Sequence, residues 1–246
     1  MKEQYKEYGS VLPCGGKGTR IAEITEDKIQ KSLLKVNGKE LIRYSLDILQ
    51  PEIVRNLVLA VDYRANEIRQ WAELSQLPYA IHFSEQAEPG VLDSIVSGAN
   101  YVPEDSMVTC NTDEIRLGLD LSDVIRFHEK QDTLATMVTT YTNNLSRHRV
   151  IEVDEKNNII LRTRLKPEEY EDHPEKNGLV NTGFLIIEKR AMDYFDANHS
   201  KDWGGIIDPL CEARQLSAYI EKRIVYFNVG TKEEFQEAEE YLKQKS

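Results

Sequence analysis

The sequence is short of cysteine, with three in 246 residues: Cys14, Cys110 and Cys211. The number is odd, the spacing wide and the surroundings apolar. That excludes a disulfide framework and reads as reduced, core-like thiols. Histidine is also scarce. His82, His128, His148, His173 and His199 are scattered without partner spacing, which excludes a zinc site and gives none of them a catalytic role. Long apolar runs are missing. Leu57-Val58-Leu59-Ala60-Val61 is only strand-sized, whereas a membrane span needs about 20 apolar residues. Residues 1–8 are charged and hold no apolar stretch of the kind that directs secretion, so a cytoplasmic protein is expected. Positive charge is in deficit. Lys and Arg total 31 against 42 Asp and Glu, leaving a net charge of -11, which argues against nucleic acid or an anionic membrane as partner. An anionic ligand must then be captured by a local basic site. No internal repeat is visible, and no hexapeptide repeat that would add a β-helix.

The densest feature lies near the start. Val11-Leu12-Pro13-Cys14 is strand-like and runs into Gly15-Gly16-Lys17-Gly18-Thr19-Arg20. Glycines let the backbone turn sharply and leave no Cβ to block a ligand, so their N–H groups can face an anion. Lys17, Arg20 and Lys31 place positive charge beside them. Such a nest suits a polyphosphate, whose charge must be held while a bond to phosphorus breaks. The spacing is not that of a P-loop, because Gly18 is followed by Thr19-Arg20. Gly16-Lys17-Gly18 also lacks the third glycine of a dinucleotide-binding turn.

Apolar periodicity predicts helices over 41–49, 65–74 and 92–99 between strands over 56–61, 79–83 and 107–110. This alternation points to an α/β, Rossmann-like three-layer sandwich with a mostly parallel central sheet, binding ligands beyond the carboxyl ends of its strands. From about residue 131 strands dominate, over 135–141, 149–153, 159–165, 179–188 and 224–228. The turn at 154–158 makes a hairpin of the second and third. Residues 166–177 read as an exposed loop, and helices are expected over 190–197, 206–213 and 232–243. Asp113, just past the strand at 107–110, is placed to hold Mg²⁺ against phosphate oxygens or to cap the next segment.

Gly15 to Ile21, with Gln30-Lys31-Ser32-Leu33-Leu34-Lys35-Val36-Asn37-Gly38-Lys39-Glu40, resembles the signature of the sugar-1-phosphate nucleotidylyltransferases. That signature reads G-G-x-G-T-R-L, a spacer, then P-K-x-L-x-x-V-x-G-K-P. Gln30 and Glu40 stand where the family usually has proline. Further matches follow in order over most of the chain. The stretch 83–94 resembles the base-contacting segment, and Asn111-Thr112-Asp113 the segment that usually ends in Gly-Asp. Lys166-Pro167 resembles the tail of Glu-Lys-Pro, with Leu165 in place of the glutamate, and Asn181-Thr182-Gly183 the Asn-x-Gly of the sugar pocket. Residues 225–231 resemble the W-x-D-x-G-T segment, with Asn228 at the aspartate.

The resemblance implies a GT-A-like nucleotide-diphospho-sugar transferase fold in one domain over 1–246. Its nucleotide-binding half would run to about residue 130 and its sugar-phosphate half over the remainder. It implies transfer of a nucleoside monophosphate from an NTP to a sugar-1-phosphate, or to a sugar-like cyclitol phosphate, with release of pyrophosphate. Arg20 and Lys31 would be catalytic, and Gly15, Gly16, Lys17, Gly18, Thr19, Glu85 and Gly90 would bind the nucleotide. Lys166, Asn181 and Gly183 would bind the sugar phosphate, and Asp113 with Asn228 would hold Mg²⁺. A carboxylate at Glu85 or Glu88 matches the paired N–H donors of guanine, which leans toward GTP. The family is often oligomeric, which leaves a homo-oligomer open. Two other readings stand beside this one. A GT-A glycosyltransferase shares the sheet but uses Asp-x-Asp, which Asn111-Thr112-Asp113 half matches. A catalytically silent subunit that senses nucleotide-sugar is suggested by Asn228 and Leu165, and opposed by Arg20, Lys31 and Asp113.

Overall fold

A computed structural model describes residues 6–142, 148, 150–165 and 178–245, with only the backbone of 164 and 165. The chain begins with β1 (Tyr8–Pro13), a one-turn α1 (Ala22–Thr25), the small hairpin of β2 (Lys35–Val36) and β3 (Lys39–Glu40), and α2 (Leu41–Leu46). Then come β4 (Val54–Val61), α3 (Ala65–Leu74), β5 (Ala80–Glu85), α4 (Val91–Ala99), β6 (Ser106–Cys110), β7 (Glu114–Leu117) and α5 (Leu121–His128). The second half supplies β8 (Ala135–Thr142), β9 (Val150–Asp154), β10 (Ile159–Leu165), β11 (Gly178–Glu188), α6 (Gly204–Glu212), β12 (Leu216–Ile220), β13 (Val225–Asn228) and α7 (Lys232–Lys245).

Nine strands form one sheet in the order β5-β4-β1-β6-β11-β8-β12-β10-β9. The first four are mutually parallel, as helical crossovers require. The expectation of a mostly parallel sheet is corrected beyond them, because the sheet is mixed. The eleven-residue β11 runs antiparallel between β6 and β8, and β9 and β10 form an antiparallel hairpin at the edge. The cause is local. The turn Asp154-Glu155-Lys156-Asn157-Asn158 is too short for a crossover, so its flanking strands can only pair antiparallel.

Alternation along the central strands divides the core into two layers. Leu12, Leu57 and Leu59 face α2, α3 and α5, while Val11, Val58 and Ala60 face α4 and α6. A third cluster joins α7 to the small antiparallel sheet of β7 and β13 through Ile115, Val229 and Ala238. The helix expected over 190–197 is instead a 3-10 segment, Lys189–Tyr194. β7, α5 and β12 are not among the elements expected from the sequence. Among the described residues no helix is long and apolar enough to cross a membrane.

Candidate active site

The glycine turn leaves the carboxyl end of β1, and its shape follows from close approaches. A Cβ on Gly15 would come within 2.5 Å of Gln86 Oε1, so the turn lies flat against the loop after β5. Gly18 has φ +65°, a left-handed conformation that favours glycine. Gln30 replaces the expected proline and is itself buried. Its side-chain amide donates to the Cys14 carbonyl and accepts from the Ser32 N–H, while its own N–H donates to Glu67 Oε2 at 2.8 Å. Hydrogen bonds thus hold the loop where a ring would have stiffened it.

The loop after β6 meets this turn. Thr112 Oγ1 donates to the Pro13 carbonyl at 2.9 Å and lies 2.6 Å from Ser32 Oγ. Next to it, Asp113 forms an ion pair with Lys31. Burial would raise the Asp113 carboxyl, but the Lys31 charge and hydrogen bond, with Arg116 behind, hold it below the ordinary carboxylate range. Gly16, Lys31 and Asp113 line a cleft of about 120 Å³. Asp113 is also on the wall of a larger adjoining cavity of about 510 Å³, together with Arg20, Asn228, Asn181 and Gly183. Arg20 is exposed and has no ion-pair partner among the described residues.

Residues expected at the site are therefore placed unequally. Arg20, Asp113, Asn228, Asn181 and Gly183 meet in the larger cavity, and Gly16 and Lys31 open on the smaller. Gly15, Lys17, Gly18, Thr19 and Gly90 belong to neighbouring loops but line neither. Gly90 is packed under the Lys201 carbonyl with φ +134°. Glu85 is not brought to either cavity. It sits exposed at the end of β5 and pairs with Arg69 at 3.0 Å. Lys166 lies outside the described residues.

Several cavity residues carried no such expectation. Glu114 lines the cavity from β7 and is buried against Arg116 of the same strand, the two paired at 2.5 Å. Arg116 itself does not reach the cavity. Asn111 Nδ2 donates to Glu114 Oε1 at 2.9 Å, and Trp203 Nε1 donates to Asn111 Oδ1 at 2.9 Å. Burial pushes the Glu114 carboxyl up to about 7, with Arg116 opposing. Burial, with the Glu114 charge beside it, pushes the Tyr226 phenol well above its ordinary value. His148 also lines the cavity, its ring 5.7 Å from that of Tyr226. The one available signal for the pair was the alternation Glu114-Ile115-Arg116-Leu117, a strand with charge on one face.

The profile of the family described as Nucleotidyl transferase matches residues 10–245. The chain belongs to this family. It is 26% identical over 188 residues to the D-glycero-alpha-D-manno-heptose 1-phosphate guanylyltransferase of Campylobacter jejuni, covering 76% of this chain and 78% of that one. It is 22% identical over 207 residues to a probable glucose-1-phosphate cytidylyltransferase of Bacillus subtilis, covering 75% and 76%. Among solved structures, HddC from Yersinia pseudotuberculosis superposes with a TM-score of 0.71 at 20% identity, over 96% of this chain and 99% of that one. The inositol-1-phosphate CTP transferase of T. maritima gives 0.76 at 14%, over 98% of each. These superpositions establish a shared fold.

Family membership makes a divalent cation at Asp113 and Asn228 a question for the geometry. The Asn228 side-chain oxygen is buried and has no hydrogen-bond partner among the described residues. It lies on the strand paired with β7, and the Val229 N–H donates to the Asp113 carbonyl at 2.9 Å. One carboxylate and one free amide oxygen, with phosphate oxygens and water completing the shell, is a donor set that Mg²⁺ accepts.

Proposed function

We propose that the chain transfers a nucleoside monophosphate from an NTP to a sugar-1-phosphate or sugar-like cyclitol phosphate. The observation that carries this reading is the meeting of Arg20, Asp113 and Asn228 with Asn181 and Gly183 around one cavity that opens beside Lys31. The acceptor phosphate oxygen forms a bond to the α-phosphorus. The bond from that phosphorus to the bridging oxygen breaks, and pyrophosphate leaves with the electron pair. The acceptor phosphate is already ionised at neutral pH, so no protein nucleophile is needed and alignment with charge compensation suffices. Arg20, free of a protein partner among the described residues, holds the departing β- and γ-phosphates. Lys31, held against Asp113 in the small cleft, reaches toward the α-phosphate and the incoming phosphate. Asp113 and Asn228 would hold Mg²⁺, which when bound supplies neutralising charge to phosphate oxygens.

Guanine is the favoured base on the strength of the heptose 1-phosphate guanylyltransferase relative. Glu85 lends it no support while turned to Arg69. A panel of the four NTPs against several sugar-1-phosphates and inositol-1-phosphate, read by pyrophosphate release, tests the reading. Release with one pair supports it. Absence of release with every pair, together with glycosyl transfer from a nucleotide-sugar, would replace it with a glycosyltransferase.

A further inference from the structure

Glu114 has no part in the transfer described above, yet it is a buried carboxyl on the cavity wall one residue from Asp113. A second negative group beside a crevice that takes phosphates is unfavourable unless it is compensated. Arg116 compensates it, being fully buried, 2.5 Å from Glu114 Oε2, and anchored by Nε at 2.5 Å to the Thr182 carbonyl. Arg116 could tie β7 to β11 through that carbonyl alone, so strand fastening does not explain a carboxyl facing the cavity. Its position is fixed on every side. Asn111 Nδ2 donates to Oε1 and is itself held by Trp203. Gly183, at φ +61°, leaves the carboxyl room, since a Cβ there would collide with Glu114 and come within 2.6 Å of Asn111 Nδ2.

A carboxylate offers about four acceptor positions. Asn111 takes one at Oε1 and Arg116 one at Oε2. Acceptor capacity is left over on a wall that Glu114 shares with Asn181 and Gly183. A neutral hydroxyl suits it, because phosphate would be repelled. The geometry points to Glu114 as a specificity-determining residue that accepts a hydrogen bond from one hydroxyl of a polyhydroxylated acceptor, with Arg116 and Asn111 as its positioning residues. The inference rests on the nucleotidyl-transfer reading and adds to it a polyol acceptor recognised through a single hydroxyl.

Binding calorimetry separates the two. The intact chain is titrated with glucose-1-phosphate, mannose-1-phosphate, inositol-1-phosphate, their mono-deoxy analogues, inorganic phosphate and the NTPs. At least one polyol phosphate is expected to bind tenfold or more tightly than inorganic phosphate, and removal of one particular hydroxyl to lose about tenfold to a hundredfold. Glu114→Gln should lose a similar factor and no longer distinguish that deoxy analogue from its parent, with NTP affinity unchanged. Polyol phosphates that bind no better than inorganic phosphate would overturn the inference. So would equal binding by every deoxy analogue, or unchanged discrimination in a folded Glu114→Gln. If that variant fails to fold, the deoxy series on the unaltered chain decides alone. Failure of every NTP to bind would strike the nucleotidyl-transfer reading and leave the hydroxyl test to stand on its own titration.

Discussion

Arg20 and Lys31 bring like charge to two adjoining cavities, but their surroundings make them answer differently to the same truncation. Arg20 is exposed, so Arg20→Ala should change unfolding free energy by no more than about 0.5 kcal/mol. Turnover should nevertheless fall about 10²–10³-fold, the usual consequence of removing a charge aimed at a developing anion. Lys31 is 10% exposed and compensates the Asp113 carboxylate, which is 28% exposed. Lys31→Ala should therefore lose activity and about 1 kcal/mol of stability, since a partly buried charge is left uncompensated. Pairing it with Asp113→Ala should restore part of the stability and none of the activity. Urea unfolding beside pyrophosphate release checks all three variants, and additive stability losses in the double variant would deny the coupling. His128 presents the opposite kind of dependence. Its ring is buried on α5, with Nδ1 2.9 Å from Thr136 Oγ1, and burial lowers its pKa from 6.5 to about 4. The folded state thus favours the neutral ring, and the unfolded state binds more protons between those values. The contribution is complete above about pH 6.5 and is lost as pH falls toward 4, amounting to roughly 3 kcal/mol at full effect. His128→Gln should flatten that part of the stability–pH curve in urea titrations. A variant curve parallel to that of the unaltered chain would count against the assignment.

At the level of elements, the clearest test falls on β11. Gly183 has φ +61°, and a Cβ there would meet Glu114, Asn111 and Arg116 together. Gly183→Ala should cost about 3 kcal/mol, because both the backbone and the buried ion pair must move. The loss should appear in urea unfolding as a lower midpoint, and a midpoint within experimental error of the unaltered chain would show that the contacts yield freely. Gly183 was legible in the sequence only through the Asn-x-Gly resemblance, and Asn111 only as part of the segment ending in Asp113, while no role was expected of Glu114 or Arg116. α3 was clear because Ile68, Trp71 and Leu74 fall on a helical period. In space only Ile68 of the three is buried, and Leu74 projects to solvent. β7 escaped because four residues are too few for a period and two of them are charged. Their burial depends on a partner two residues away and on a cavity that local sequence does not reveal. The same limit explains Glu85. A carboxylate in a base-contacting stretch has the right chemistry, yet Arg69 on α3 meets it first. The antiparallel insertion of β11 between β6 and β8 is a choice among long-range partners, and strand periodicity carries no information on pairing.

For the molecule as a whole, the cavity draws its walls from both halves: Arg20, Asp113 and Asn111 from one, Asn181, Trp203 and Ile207 from the other. A ligand that fills it must oppose any opening that separates them. The three cysteines report such opening, because all are buried and they lie in both core layers. Cys14 and Cys110 are in one, Cys211 in the other. Burial raises each thiol, Cys14 up to about 12, so none is reactive while the layers are closed. A thiol reagent at neutral pH should find no reactive group at once in the folded chain and three after unfolding in urea. With a sugar-1-phosphate and NTP each near 100 times its Kd, stabilisation of about 2.7 kcal/mol per ligand is available by mass action. Labelling through global opening should then slow by about a hundredfold for each ligand. Equal slowing at Cys14, Cys110 and Cys211 would mean that both layers open together and that the ligand binds across them. Slowing at Cys14 and Cys110 alone would confine the ligand to the β1–β6 side and remove the second half from binding.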